Sequence, residues 1–196
     1  IVPLAMTALT EPVYLVPQVC VPFVKKGGLG KLLGRALYPG WATGVIYVLL
    51  LFVLYQVINM FTGFELFDND EMHAIMINFF AMLLFPLVVI RMFFKRTQSL
   101  FGTYLAIMMF SWLLALIVFA IAESTNQEEM MLMFCWVPAM NLFAVDALRD
   151  YDGFYIAIAY LTTFGYGVIP LLTSPTVWKQ IKESEAAAQE IIDKNK

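Results

Sequence analysis

The stretch that decides the fold of this chain is Ala36–Phe64, which reads ALYPGWATGVIYVLLLFVLYQVINMFTGF and contains no Asp, Glu, Lys or Arg. A helix needs about 20 such residues to cross a hydrocarbon layer of ~30 Å. Met72–Ile90, Thr97–Ala122 and Gly153–Trp178 are uncharged in the same way. Together these runs predict membrane-spanning helices at Trp41–Met60, His73–Phe93, Phe101–Ile121 and Phe154–Leu172.

The composition of the whole chain agrees with this interpretation. Hydrophobic residues make up 61% of the 196 residues and charged residues 14%, whereas soluble domains contain roughly 45–50% and 25%. So short a chain cannot bury that much apolar surface in one core. The composition therefore argues against a soluble globular enzyme and a disordered chain. The net charge of −3 argues against a nucleic-acid binder, and two cysteines against a disulfide scaffold. The predicted class is an all-α, polytopic transmembrane helix bundle.

The number of spans depends on a shorter apolar segment, Met130–Val145, which Asp146 closes. This segment contains Pro138 and Asn141, so it is either a fifth span or a re-entrant hairpin buried against the other helices. We expect about five spans, with four to six open.

The N-terminal segment 1–24 is apolar but interrupted. It carries Glu11 and prolines at positions 3, 12, 17 and 22, and proline breaks regular helices. We expect a broken, partly embedded segment. Its basic residues follow the apolar run instead of preceding it, which is not typical of a secretory signal.

Residues 25–40 form a basic amphipathic pattern. Leucines at 29, 32, 33 and 37, with Ala36, fall on one helical stripe. This predicts an interfacial helix on the membrane surface, followed by a Pro39–Gly40 break and an aromatic anchor at Trp41. The segment serves either membrane anchoring alone or coupling to a cytoplasmic partner. The residues that we assign to it are Lys25, Lys26, Lys31, Arg35 and Trp41.

Basic clusters predict the orientation of the bundle, residues 41–173. Segments 25–35 and 91–96 carry the lysines and arginines near the first two spans, so both lie on the cytoplasmic-type side. The loops 65–71 and 123–129 contain no lysine or arginine, and we expect them on the opposite side.

The C-terminal residues 174–196 are predicted to form a solvated polar helix, with Ser174 as its N-cap and Pro175 in the first helical position. A fifth span would place this tail opposite the basic clusters, and a re-entrant segment would place it on their side.

Polar groups inside membranes are the default functional candidates because they are costly there. The candidates in this chain are Glu11, His73, Asn141 and Asp146. His73 serves either interfacial hydrogen bonding or ligand and proton chemistry, and Asp146 either pairs with Arg149 or handles protons. Cys20 and Cys135 are predicted to be small, buried apolar side chains. We expect no catalytic residues, no metal site and no cofactor other than bound lipid.

Three functions fit these features. The first is a non-catalytic membrane subunit of a larger assembly, permease-like or scaffold, with the bilayer and other membrane subunits or copies of itself as partners and no nucleic acid. An amphipathic helix before a bundle of five or six spans resembles in layout the permease half of an ABC-2-type exporter. That resemblance implies a partner that supplies energy. The alternatives are a small oligomeric carrier or channel and a cofactor-binding protein or enzyme around His73 and Asp146. A bacterial inner membrane and an organelle membrane both suit the chain.

Overall fold

A computed structural model describes residues 2–10, 15–62, 70–93, 99–147 and 152–194. Every regular element in these ranges is helical. The α-helices are α1 (Val2–Thr10), α2 (Pro17–Val24), α3 (Gly27–Leu37), α4 (Trp41–Thr62), α5 (Asp70–Phe93), α6 (Leu100–Thr125), α7 (Pro138–Ala147), α8 (Asp152–Leu172) and α9 (Pro175–Lys194), with a 3₁₀ helix at Glu128–Phe134.

Four of the described helices are long and apolar enough to cross a membrane. Their spans are Trp41–Phe61, His73–Phe93, Leu100–Thr125 and Gly153–Leu172. At 1.5 Å per residue the shortest of them, with 20 residues, is about 30 Å long, which matches the hydrocarbon layer. The predicted all-α class and the four long apolar helices are confirmed. The number of crossings beyond these four stays a prediction.

The chain divides into two compact units, residues 1–47 with 170–196 and residues 48–169. In the first, the N-terminal segment forms two short helices, and α2 packs against both α3 and α9. Helix α1 approaches α4 closely at Gly44, where a Cβ atom would lie 2.6 Å from the backbone of Ala8 and Leu9. Only glycine permits this approach, so the first helix is held against the start of the first span.

In the second unit α5 is the most enclosed span. Two thirds (67%) of its most apolar window is buried, compared with 17% for α6. Its buried residues Ala74, Met82 and Phe85 share a core with the segment 131–144. The outer faces of α4, α6 and α8 carry most of the exposed leucines, isoleucines and phenylalanines, as expected for helices whose solvent is lipid.

The segment 130–146, for which the sequence allows either a fifth span or a re-entrant hairpin, contains no long helix. It is a 3₁₀ helix, a turn and then α7, whose ten residues rise about 15 Å, half of a hydrocarbon layer. At the turn, the backbone oxygen of Trp136 accepts a hydrogen bond from the Tyr166 hydroxyl. Farther along α7, Asn141 donates to the backbone oxygen of Tyr155, at 3.1 Å. Tyr166 follows Tyr155 by eleven residues on α8, about 16 Å, so α7 runs back toward the start of α8.

Candidate functional site

Helix α3 presents an exposed apolar face. Leu29 is 80% exposed, Leu32 68%, Leu33 55% and Leu37 63%. On another side of the helix Gly30 and Gly34 are buried, and a Cβ atom at Gly30 would overlap the carbonyl oxygen of Phe23. The glycines therefore allow α3 to lie close to α2 while the predicted leucine stripe remains uncovered by the described residues.

The basic residues near this face differ in their exposure and in their contacts. Lys25 and Lys26 are exposed and Lys31 is partly exposed. Arg35 instead turns toward α9. Trp41, which we expected at the membrane interface, is only 2% exposed and packs inside the protein.

A buried carboxylate joins α3 to the C-terminal helix. The Nε and Nη2 atoms of Arg35 donate to the two carboxylate oxygens of Glu185, at 3.1 and 2.8 Å. The hydroxyl of Tyr38 donates to Oε1 of the same carboxylate, at 3.4 Å. The Glu185 side chain is 6% exposed and that of Arg35 is 42% exposed. We call the group Arg35, Tyr38 and Glu185 the latch.

Burial and hydrogen bonding shift the pKa values of Tyr38 and Arg35 in the latch and of the neighbouring Cys20. Burial raises the pKa of the Tyr38 phenol. Burial also raises the pKa of the Cys20 thiol, and the Glu185 carboxylate adds to that shift, while the hydrogen bond to Tyr38 opposes it. The hydrogen bond to Glu185 raises the pKa of Arg35. At neutral pH the raised pKa values keep the thiol of Cys20 and the phenol of Tyr38 protonated.

Glu185 was not among the residues that we predicted from the sequence. It lies on the stripe of α9 that faces α2, in line with the buried residues Val177, Ile181, Ala188 and Ile192. The sequence signal for a buried Glu185 is an acidic residue at a position where the helical period predicts an apolar side chain. The C-terminal helix itself was predicted and begins at Pro175, as expected.

His73 belongs to a hydrogen-bonded network in the second unit. Its Nδ1 atom lies 3.1 Å from the Tyr55 hydroxyl and its Nε2 atom 3.1 Å from the Tyr160 hydroxyl. Tyr160 donates its hydrogen to Oε1 of Gln56, at 2.9 Å. The Tyr160 oxygen must therefore accept from Nε2–H, and in a neutral ring Nδ1 then accepts from Tyr55. We call these four side chains the histidine network.

The histidine network leaves no ring nitrogen free for a metal ion. Both nitrogens of His73 are engaged by tyrosines. Among the described residues there is no group of three His, Cys, Asp or Glu side chains that could hold a metal. A metal or haem at His73 would have to displace one of the two tyrosine contacts.

Asn141 makes a second buried polar contact in this unit. It is fully buried, and its amide donates to Oδ1 of Asn78, at 3.0 Å, as well as to Tyr155. Asn78, also fully buried, donates to the carbonyl of Ala74, at 3.0 Å. The pair ties α7 to α5 and α8. Glu11, the side chain of Asp146 and Arg149 lie outside what the structure describes, so the roles proposed for them stay predictions.

An apolar groove also opens between α5, α6 and the turn before α7. Its volume is about 890 Å³, and Phe85, Phe110, Leu114 and Trp136 are among its walls. The hydroxyls on its wall are bonded to the protein itself, for example that of Ser111 to the carbonyl of Met108, at 2.7 Å. The groove thus suits an occupant that brings no hydrogen-bonding groups.

No family model, no curated protein and no solved structure matches this chain. Its function is therefore inferred from the chain's own residues.

Proposed function

We propose that this protein is a non-catalytic integral membrane subunit of a larger membrane assembly, of the permease or scaffold kind, coupled to a partner chain. The latch is the observation that carries the proposal. It fastens the amphipathic helix before the first span to the polar helix after the last one, with Glu185 almost wholly buried. A subunit that receives force or position from a partner needs such a rigid element outside its spans.

The latch also supports a topology for the chain. The contact between α3 and α9 supports placing both helices on the same side of the bilayer, with an even number of crossings between them. We propose four spans, with the segment 130–146 as a re-entrant hairpin. The short α7, its deep turn at Trp136 and its return toward Tyr155 support this choice over a fifth span.

The orientation then satisfies the positive-inside rule throughout. The basic segments 25–35 and 91–96 and the tail helix share the cytoplasmic-type side of a bacterial inner membrane or an organelle membrane. Residues 65–71, 123–129 and both ends of the hairpin lie opposite. Bound lipid is proposed for the apolar groove, because its walls offer hydrocarbon and satisfied hydroxyls.

Cysteine labelling tests the topology. Exposed positions are Lys26 before the spans, Asn126 after the third span and Glu190 in the tail. Each is replaced in turn by cysteine in a background where the buried Cys20 and Cys135 are alanine. We expect a membrane-impermeant reagent to label positions 26 and 190 from one side and position 126 from the other. Labelling of 190 from the side of 126 would contradict four spans.

Purification in a mild detergent followed by mass spectrometry tests the subunit proposal. We expect a stoichiometric second protein with the wild type and with Glu183→Gln, a charge change on the exposed side of α9. We expect less of it with Glu185→Gln, which opens the latch. A monodisperse particle that contains only this chain, active alone in its membrane, would overturn the proposal.

A small oligomeric carrier is the second candidate, and the histidine network supports it. The network joins Tyr55, His73 and Tyr160, three side chains that can both donate and accept a hydrogen, and the amide oxygen of Gln56 accepts at its end. Side chains of this kind can line a polar pathway. Proton flux through liposomes that contain only the purified chain tests this function. Flux that Tyr160→Phe abolishes would favour the carrier, and its absence would leave the subunit proposal in place.

A further inference from the structure

The apolar face of α3 has an unusual charge environment. Its four leucines are all more than half exposed. The helix and the residues just before it carry Lys25, Lys26 and Lys31, and residues 12–64 contain no Asp or Glu at all. The segment that carries this exposed apolar stripe has three lysines and no acidic residue of its own, and so differs from the outer faces of the spans, which are apolar and uncharged.

This combination identifies the surface that fits it. A helix with leucines on one face and lysines beside them lies in the headgroup region, with the leucines about 5–10 Å into the acyl boundary. Each lysine near an anionic bilayer contributes roughly 1 kcal/mol, or about a fivefold preference. The lysine stems extend along apolar surface and keep their ammonium groups at the headgroups.

We infer that α3 is a binding element for anionic phospholipid, with Lys25, Lys26 and Lys31 contacting the headgroups and the leucine face embedded among the acyl chains. Charge complementarity selects this occupant. A protein partner of the same face would have to supply an apolar groove bordered by acidic side chains. An anionic bilayer supplies acyl chains for the leucines and negative headgroups for the lysines along the whole helix. Lipid binding by α3 requires no partner chain, so it stands or fails independently of the proposed subunit function.

The latch joins this binding element to the tail helix. Arg35 follows Lys31 by one helical turn and is bonded to Glu185, so α9 is attached to the same helix that contacts lipid.

A spin label on α3 tests the inference on the full chain in lipid nanodiscs. The label is attached to Leu32→Cys, with Cys20 and Cys135 replaced by alanine, in discs of phosphatidylcholine alone or with phosphatidylglycerol. Collision rates with oxygen and with a water-soluble nickel complex give its depth. We expect the ratio of embedded to water-exposed label to rise with the anionic lipid. In anionic discs, replacing the three lysines by glutamine should lower the ratio on the order of 100-fold, from about fivefold per lysine.

The matched control replaces three lysines of α9, Lys179, Lys182 and Lys194, by glutamine, which changes the net charge equally. We expect it to leave the embedded fraction unchanged. Three results would overturn the inference: the same ratio in both lipid compositions, an equal effect of the α9 variant, or a label shielded from both oxygen and nickel. The last would show that protein, not lipid, covers the leucine face.

Discussion

The guanidinium group of Arg35 donates two hydrogen bonds to the carboxylate of Glu185, a residue 150 positions away along the chain. All four spans lie between these two residues. The contact therefore joins the two segments of the chain that flank the four long apolar helices. It links the position of the tail helix to that of the amphipathic helix, and its integrity reports on the folding of the first unit.

Glu185→Gln should weaken the docking of α9. The variant keeps the shape of the side chain but leaves the positive charge of Arg35 without its carboxylate. Hydrogen bonds to charged groups contribute about 1.5–3 kcal/mol. We expect the low end of that range, because water screens the Arg35 side chain, which is 42% exposed. Thermal unfolding and the rate at which a protease removes α9 measure the effect.

The matched control for this variant is Glu183→Gln. Glu183 pairs with Lys179 across one turn of the same helix, at 3.8 Å, with both side chains largely exposed. Such pairs contribute little to stability, so we expect no measurable change. Equal sensitivity of the two variants to the protease would show that the buried latch does not hold α9.

Alkaline pH should destabilise the first unit through Cys20. In the unfolded chain this thiol ionises near the ordinary cysteine pKa of 9.0, whereas burial raises its pKa in the folded protein. Above about pH 9 the unfolded state therefore binds fewer protons than the folded state, and the free energy of unfolding falls as the pH rises. Below that pH the stabilising contribution is complete. Tyr38, whose pKa burial also raises, adds a second fall that begins near the ordinary tyrosine pKa of 10.0.

Comparison with Cys20→Ala isolates the thiol from the other titrating groups. We expect the difference in melting temperature between the wild type and this variant to be constant from about pH 7 to about pH 8.5, below the range in which the thiol ionises. Above about pH 9 the melting temperature of the wild type should fall relative to that of the variant, because only the wild type gains an ionised thiol on unfolding. A difference that does not depend on pH would show that the buried thiol does not contribute.

The spans and the local helices could be predicted from the sequence because their signals are local. Uncharged runs indicated α4, α5, α6 and α8, and the leucine period indicated α3. The latch could not be predicted in the same way. The acid at 185 interrupts an apolar stripe and so indicates a buried partner, but any of the 12 lysines and arginines satisfies that demand. Packing through Gly30 and Gly34 decides that Arg35 is the one within reach. The tyrosine contacts of His73 likewise depend on the lateral order of the spans, which hydropathy does not encode.

The approach of α3 to α2 should depend on Gly30. A Cβ atom there would overlap the Phe23 carbonyl oxygen and lie 2.5 Å from Cβ of Lys26. Gly30→Ala must therefore push the helices apart, at a cost of about 1–3 kcal/mol. At Gly28 a Cβ atom meets nothing within 4 Å, so Gly28→Ala should be neutral or stabilise α3 by up to about 1 kcal/mol. Thermal unfolding distinguishes the two, and a stabilising Gly30→Ala would contradict the close packing.

The placement of α7 should depend on the hydrogen bond between Asn78 and Asn141. A double-mutant cycle with alanine at each position measures their coupling, which for polar pairs between membrane helices averages about 0.6 and reaches about 2 kcal/mol. The single change at Asn141 should cost more than that at Asn78, because it also removes the bond to the Tyr155 carbonyl. Asn59 on α4 serves as the control, since its coupling to Asn141 should be close to zero. If Asn78 and Asn141 show no more coupling than that control pair, α7 is held by apolar packing alone, and the hydrogen bond between the two amides does not contribute to its placement.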